Sequence, residues 1–410
     1  MKEHRKQILL QMTALVGIMI CLMGCANSDS IPVIHTSENQ STIETTPQRG
    51  LHTDEIIPQG PSSSVEPTHI VETVNEDFHI DAMVKEYPPD GLAGVYVGDP
   101  RRITKEEIQR FMEACGTTIT SSEESSNSNM DYYNGVCENG AVFYSEQNVQ
   151  GHPYSQFLYR NDAKCQFYRA YPIYSGEESY LTNSKYTVGW MFTEPKELSF
   201  STEAEAEQNV RRALNVLGLS DLKLIRTLYC DHKTLEAAML RVATYEEYGP
   251  LGAKEENNGY PIKETWLDED DAYVFSFGFS IQDTPMCYRY FASGKTAWYT
   301  RSDVIVWYTK DGIVNLVVNT PWQKGETETP PTPIISAQSA LDVAKKKLSY
   351  DFTKPDKRIE EIRLEYHYVQ DRNRWLLKPV WAVACSYSSG PDTDRIYSFI
   401  NVDALTGYEL

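Results

Sequence analysis

The residues that could do chemistry in this 410-residue chain are few and scattered. Ser220 and Lys223 have the Ser-x-x-Lys spacing that gives a serine nucleophile a lysine base, but the chain lacks the Ser-Asp-Asn and Lys-Thr-Gly motifs that complete this site. Both residues follow Gly218, where a helix-to-strand turn is predicted and serine is common. The run 293–296, Ser-Gly-Lys-Thr, lacks the first glycine of a phosphate-binding loop. We therefore predict no catalytic residue, no cofactor and no enzymatic activity.

Histidine is a frequent metal ligand and general base. Four of the eight histidines, His79, His152, His232 and His367, lie in the part of the chain that is predicted to fold. None of them belongs to a His-Glu-x-x-His motif or another paired ligand spacing. His367 lies in a predicted strand, on the opposite side from Leu364, and we expect it at the surface. The histidines therefore predict no metal site.

The densest acidic run is Asp268 to Asp271, Asp-Glu-Asp-Asp. A calcium loop needs several oxygen ligands and usually a glycine that permits its sharp turn. No such glycine follows, and Tyr273 begins a predicted strand almost immediately. A solvated loop before the strand is the favoured interpretation, and cation binding by the run stays open.

The cysteines favour neither a zinc ribbon nor a redox centre, because the chain has no Cys-x-x-Cys motif. Two of the eight, Cys21 and Cys25, lie in the amino-terminal region, and an even number remains. Cys115 and Cys385 fall on predicted apolar faces, which suit a buried thiol. Disulfide formation stays open for all six remaining residues: Cys115, Cys137, Cys165, Cys230, Cys287 and Cys385.

A short basic start and an apolar run from Ile8 to Gly24 have the length of an export signal. The run ends in Leu22-Met23-Gly24-Cys25, which resembles the lipobox of bacterial lipoproteins, with Met23 in place of the usual small residue. This resemblance implies removal of residues 1–24 and attachment of diacylglycerol to the Cys25 thiol. Because each buried CH₂ contributes roughly 0.8 kcal/mol, two or more acyl chains would anchor the protein durably at the membrane.

The formal net charge of −20 argues against nucleic acid as a partner, because phosphate contacts require a basic surface. Residues 1–24 include three basic residues and one acidic residue, so their removal changes the net charge from −20 to −22. None of the 47 aromatic residues precedes Phe78. A segment without aromatic residues buries too little surface to offset its ordering entropy, so we predict that residues 25–77 are a disordered tether.

Three amphipathic helices are predicted from their amino-terminal caps. The first begins at Thr104, which forms a capping box with Glu107, and the others begin after Thr202 and after Ser336. A fourth helix is expected from about residue 234 to residue 245. Their apolar residues recur at intervals of three and four, so each helix should cover one side of a sheet.

Strand-like alternation follows each helix and predicts antiparallel sheets. Residues 362–368, 381–387, 396–402 and 273–281 alternate with a period of two. Two further strands flank Asp311-Gly312, a strong hairpin signal, and Gly390-Pro391 predicts another turn. A helix followed by several strands recurs along the sequence. This pattern predicts an α+β fold of tandem modules, each with a helix on an antiparallel sheet. The predicted units are 78–198, 199–326 and 334–410, with a linker at 327–333.

The last 75 residues resemble the PepSY-like domains of exported bacterial proteins, including the YycH and YycI regulatory proteins. The matching segments are the helix that begins at Ser336 and residues 362–366, 377–381 and 400–407. The whole chain also resembles a Gram-positive lipoprotein family known as a domain of unknown function, through residues 306–314 and 379–381. PepSY-like domains are associated with binding and restraining partner proteins, and the resemblance carries over no catalytic residue.

Together these features predict an extracytoplasmic lipoprotein, anchored through Cys25, that binds or regulates another envelope protein. A binding module for a small ligand, glycan or wall peptide is the alternative, because 27 tyrosines could stack on sugars or anchor peptides. A carboxylate-dependent hydrolase is a third possibility. An exposed apolar sheet edge would favour a protein partner, an aromatic cleft would favour a ligand, and a deep pocket with two carboxylates would favour the hydrolase.

Overall fold

Two β-sheets and four helices make up the part of the chain that the computed structural model describes. This part comprises residues 68–86, 88, 90–148, 154–161, 189–243, 265–287, 302–351, 355–371, 374–388 and 396–410. All of these residues belong to one unit, Ile56–Leu410. The mixed α+β class predicted from the sequence is confirmed.

The helices begin at the predicted caps. Helix α1 (Lys105–Ala114) starts after Thr104 and helix α2 (Glu203–Val216) after Thr202, each with a complete capping box. Helix α3 spans His232–Ala243, and helix α4 (Ala337–Ser349) starts after Ser336. Each capping side chain accepts a hydrogen bond from an amide that the first turn would otherwise leave unpaired. Local sequence therefore determines where these helices start.

The first sheet has seven strands in the order β1-β2-β14-β15-β3-β13, with β16 also paired to β15. All its pairings are antiparallel except that of β2 with β14. Its strands are β1 (His69–Asn75), β2 (Phe78–Lys85), β3 (Leu92–Pro100), β13 (Trp322–Pro333), β14 (Lys357–Asp371), β15 (Arg374–Tyr387) and β16 (Ile396–Asp403).

The second sheet has nine strands in the order β10-β9-β11-β12-β7-β6-β5-β4, with β8 also paired to β9. The predicted Asp311-Gly312 hairpin joins β11 to β12, and Gly312 adopts a positive φ of 92°. The strands are β4 (Ile119–Ser126), β5 (Met130–Cys137), β6 (Val142–Asn148), β7 (Ser155–Arg160), β8 (Leu222–Cys230), β9 (Ala272–Ile281), β10 (Thr284–Pro285), β11 (Asp303–Thr309) and β12 (Gly312–Asn319).

The order of strands does not follow the predicted tandem modules. The first sheet combines residues 69–100 with residues 322–403, and the second sheet is formed entirely by the chain between them. The predicted linker 327–333 is part of β13, which pairs with β3. Likewise, the predicted tether ends too late, because His69–Asn75 form β1 against β2. Short-range patterns cannot reveal the pairing of β13 with β3, since the two strands lie more than 200 residues apart in the sequence.

Helices cover the sheets on particular faces. Helix α4 packs on the first sheet through Ala340, Leu341 and Ala344, against strand residues that include Leu364 and Trp381. Helices α1 and α2 pack on one face of the second sheet, in a core that also includes Tyr96, Tyr366 and Leu377 of the first sheet. Helix α3 packs on the opposite face of the second sheet. A shared core therefore connects the two sheets.

The structure describes five of the six cysteines left open above, and all five are thiols: Cys115, Cys137, Cys230, Cys287 and Cys385. Cys25, Cys165, His152 and the Gly390-Pro391 turn lie outside the described residues. None of the helices in the described ranges is both long enough and apolar enough to cross a membrane.

Candidate functional site

The strongest cluster of chemically active side chains in the described residues joins Cys287, Glu365 and His367. One potential ligand atom from each residue lies within 4.8 Å of the other two. The exposed fractions are 1% for Cys287, 0% for Glu365 and 7% for His367. Thiolate, imidazole and carboxylate are the three ligand types that zinc sites use. This is the only such group found among the described residues.

Strand β14 supplies two members of the cluster. Glu365 and His367 are two residues apart, so strand alternation places both side chains on the same face. The imidazole Nε2 of His367 lies 2.7 Å from Oε1 of Glu365. The sequence prediction of a surface position for His367 is therefore wrong. Its side of the strand was predicted correctly, but this face of β14 is buried.

The hairpin of β9 and β10 brings Cys287 to β14. The hairpin turns at Gln282 and Asp283, with φ values of 49° and 67°. Two positive φ angles match a type I′ turn, which favours asparagine and glycine. Met286 then forms a parallel bridge with Tyr366. Cys287 therefore lies beside β14, on the side where β2 pairs with it, but beyond the end of β2.

Hydrogen bonds hold the Cys287 backbone on both sides. Its amide donates to the Tyr366 carbonyl at 2.9 Å, and its carbonyl accepts from the Ser302 amide at 3.0 Å. At the turn of the hairpin, the Tyr96 hydroxyl donates to Oε1 of Gln282 at 3.3 Å. The thiol is therefore presented by a fixed backbone, as a preorganised site requires.

A row of charged residues extends from the cluster along the same face of β14. Arg363 donates through Nε to Oε1 of Glu361 at 2.9 Å, and Lys85 donates to Oε2 of the same carboxylate at 2.6 Å. Glu361 and Arg363 are 9% and 6% exposed. The buried charges are therefore paired, as the cost of removing them from water requires.

Three of the other described cysteines have raised thiol pKa values and belong to no such cluster. Burial raises the pKa of the Cys115 thiol to about 12, with a further increase from Cys137, and burial raises the pKa of Cys137 to about 11. Burial also raises the pKa of Cys230. Thiols with raised pKa values are poor nucleophiles and poor metal ligands near neutral pH.

In the acidic run, Asp268–Asp270 form a short 3₁₀ helix before β9, and Asp271 follows it. Asp271 accepts hydrogen bonds from the His232 amide and from its ring Nδ1, at 2.7 and 2.9 Å. Oδ2 of Asp270 accepts from the Leu267 amide at 2.8 Å, and Glu269 faces Lys310 at 3.3 Å. These carboxylates face protein donors in different directions, which fits the favoured interpretation of a loop before the strand.

Lys223 of the Ser-x-x-Lys spacing lies in β8 and donates to Glu86 at 2.6 Å. Ser220 is exposed in the turn before that strand. The predicted helix-to-strand turn is confirmed, with a positive φ of 67° at Gly218.

An open cleft of about 500 Å³ lies at the start of α2. Its tyrosine, Tyr229, donates to Glu203 at 2.6 Å, and its lysine, Lys196, pairs with Asp231 at 2.5 Å. Tyr229 and Lys196 are therefore each engaged by a carboxylate of the protein, and a single aromatic side chain lines the cleft. The cleft therefore differs from the aromatic cleft that would favour a ligand-binding module.

The fold has a counterpart among solved structures. The chain is similar to an uncharacterized protein from Eubacterium rectale ATCC 33656, whose crystal structure was determined at 1.45 Å resolution. The identity is 18% and the TM-score 0.59, and the alignment covers 84% of this chain and 93% of the other. This likeness shows a shared fold. No protein-family model matches the chain, and a search of curated proteins returns no match.

Proposed function

We propose that the protein is a lipid-anchored extracytoplasmic protein that binds another protein of the cell envelope and has no catalytic role. The lipobox-like residues 22–25 support the anchor. The edge strand β1 supports the binding function, and this observation carries the proposal. No other strand of the described residues pairs with the outer edge of β1.

The outer face of the β1–β2 hairpin exposes two large apolar side chains. Val71 is 70% exposed and Met83 is 45% exposed. His69 pairs with Met83 and Val71 with Asp81 in the register, so Val71 and Met83 are diagonal neighbours on that face. An edge strand with exposed apolar residues can accept an added strand from a partner.

Strand β4, at an edge of the second sheet, differs from β1. Strand β4 contains Glu123 and Glu124, and seven of its eight residues are exposed. Charged residues on an edge strand oppose pairing with another chain. Edge β1 is therefore the favoured docking position, and β4 provides a control.

Charge indicates the chemistry of the partner. Asp81 lies beside Val71, and the exposed Glu76 and Asp77 follow β1. With a net charge of −22 after processing, the protein favours a partner segment that carries basic residues. We propose an extended, basic segment of a membrane or wall protein as the partner.

Site-specific crosslinking from the anchored protein tests this proposal. A photo-crosslinking residue at position 71 should capture a defined envelope protein, and one at Ser122 of β4 should not. The captured protein should contain a basic segment whose synthetic peptide competes for the crosslink. Equal capture from both positions, or no capture from position 71, would contradict docking at β1.

The anchor is tested separately. Cys25→Ala should block lipidation and shift the protein from the membrane fraction to the soluble fraction, because the thiol is the attachment atom. Cys21→Ala, four residues earlier in the predicted signal, is the matched control and should leave the fractionation unchanged. Membrane retention of Cys25→Ala equal to that of the unaltered chain would overturn the lipoprotein assignment.

A further inference from the structure

The geometry points to Cys287, Glu365 and His367 as a binding site for a zinc-class divalent ion that joins the two sheets. This inference is independent of the proposed docking at β1. Its basis is the convergence of three donors of the right types from two chain segments that are 78 residues apart.

The donor set selects the class of ion. A thiolate favours soft or borderline cations and disfavours calcium and magnesium, which prefer ligands made entirely of oxygen. Imidazole and carboxylate complete a set that suits zinc, and three protein ligands are the number found in zinc sites that keep a fourth, exchangeable position. Zn²⁺ is therefore the appropriate probe.

The separations are close to those that coordination requires. Ligand bonds of about 2.0–2.3 Å in tetrahedral geometry place the donor atoms roughly 3.3–3.8 Å apart. The three potential ligand atoms lie within 4.8 Å of one another, and Nε2 of His367 is 2.7 Å from Oε1 of Glu365. Movements of the donor atoms by about 1–2 Å, through side-chain rotation, would bring all three to one ion.

The hairpin turn before Cys287 helps to fix the position of the thiol. Gln282 and Asp283, the two residues at the turn of the β9–β10 hairpin, both adopt left-handed conformations without being glycine. Such conformations cost free energy and persist where the surroundings enforce them. Here they accompany the placement of the Cys287 backbone between Tyr366 and Ser302.

A bound ion would have a mechanical consequence. Cys287 follows the β9–β10 hairpin of the second sheet, whereas Glu365 and His367 belong to β14 of the first sheet. Coordination would therefore link the sheets by metal–ligand bonds. The ion would stabilise the folded chain, because the unfolded chain does not keep the three donors together.

Zinc titration of the purified full chain tests the inference. After treatment with a chelator, calorimetry should show one Zn²⁺ per chain and the release of about one proton, since the thiol binds as a thiolate. Cobalt(II) should give the absorption of thiolate-to-cobalt charge transfer. Zinc should also raise the melting temperature of the protein.

Three variants identify the ligands. Cys287→Ser, Glu365→Gln and His367→Asn should each weaken zinc binding by about 100-fold or more, because loss of a direct ligand exceeds the 10- to 100-fold loss seen for outer groups. Cys230→Ser alters another buried thiol and His79→Asn another histidine, and both should bind zinc as the unaltered chain does.

The remaining outcomes are decisive. If one of the three variants fails to fold, the cobalt spectrum of the unaltered chain still reports thiolate coordination directly. Absence of stoichiometric zinc binding by the unaltered chain would overturn the inference. Zinc binding that survives in folded forms of all three variants would overturn it as well.

Discussion

On the face of β14 toward α4 lie Ile362 and Leu364, whereas the opposite face carries Glu361, Arg363 and Glu365. Every one of these side chains is at most 9% exposed. The apolar face forms the core with α4. The charged face is paired internally and leads to the Cys287 cluster. The two faces of β14 are therefore buried to a similar degree, but strand alternation places apolar packing residues on one and charged residues on the other.

The largest effect is expected on the apolar face. Trp381 of β15 is fully buried and donates through its indole nitrogen to the Ile335 carbonyl at 3.0 Å. Trp381→Ala should reduce the free energy of unfolding by about 3–5 kcal/mol, measured by urea denaturation. Tyr350→Ala, at a site 70% exposed, should change it by less than about 0.5 kcal/mol. Similar losses for the two variants would contradict the packing.

On the charged face, the expected effect depends on which partner is removed. Arg363→Met should cost about 3 kcal/mol, because it deprives the buried Glu361 of one of its cations. Glu361→Leu combined with Arg363→Met should recover most of that loss, since an apolar pair avoids the desolvation of two charges. Denaturation of the single and double variants measures this difference, and a double variant less stable than Arg363→Met would argue against it.

Asp231, a carboxylate whose side chain is 16% exposed, provides a comparison for the buried charged residues of β14. Burial opposes ionisation of Asp231, but hydrogen bonds from Lys196 and Thr234 outweigh it and hold the pKa of Asp231 below its usual value. A lowered folded-state pKa contributes stability above the unfolded pKa of about 3.9, and this contribution is lost as the pH falls through the folded-state pKa. Asp231→Asn removes the ion pair with Lys196 and should cost about 1 kcal/mol or less at pH 7.

The pH dependence supplies the check. The difference in unfolding free energy between Asp231→Asn and the unaltered chain should diminish as the pH falls below about 4. Asp311→Asn, in the turn between β11 and β12, serves as a control for the loss of a carboxylate elsewhere. A penalty for Asp231→Asn that stays constant from pH 7 to pH 2 would exclude the ion pair as its source.

The smallest effect on stability is expected at edge β1. Val71→Lys should change the free energy of unfolding by less than about 0.5 kcal/mol, because the side chain is already exposed. The same substitution should weaken binding of the partner's synthetic basic peptide about tenfold, since a lysine on an edge opposes strand addition. Ser122→Lys on β4 should affect neither quantity. A large loss of stability in Val71→Lys would show that this edge is structural.

The parts of the fold that depend on neighbouring residues could be predicted from the sequence. Thr104, Thr202 and Ser336 cap their helices because the signal lies within one turn, and Asp311-Gly312 determines a local hairpin. The pairing of β2 with β14 joins residues almost 280 positions apart, and no local pattern encodes it.

The candidate site was missed for the same reason. Glu365 and His367 already share a strand face in the sequence, which was the available signal. The third donor, Cys287, follows the β9–β10 hairpin of the second sheet, far from β14 in the sequence. Sequence alternation also placed His367 opposite Leu364 correctly. Whether that face meets solvent depends on tertiary packing, and a single sequence does not specify it.

The first sheet is built from two chain segments that lie far apart in the sequence. This affects when the sheet can form during synthesis. Strands β2 and β3 do not pair with each other; their neighbours β14, β15 and β13 come from the carboxy-terminal part of the chain. During synthesis from the amino terminus, β2 and β3 must therefore wait for most of the chain to emerge before they gain these neighbours. Until then, their edges remain open to chaperones and to aggregation. A chain that ends before β13 would leave β3 without either of its neighbouring strands.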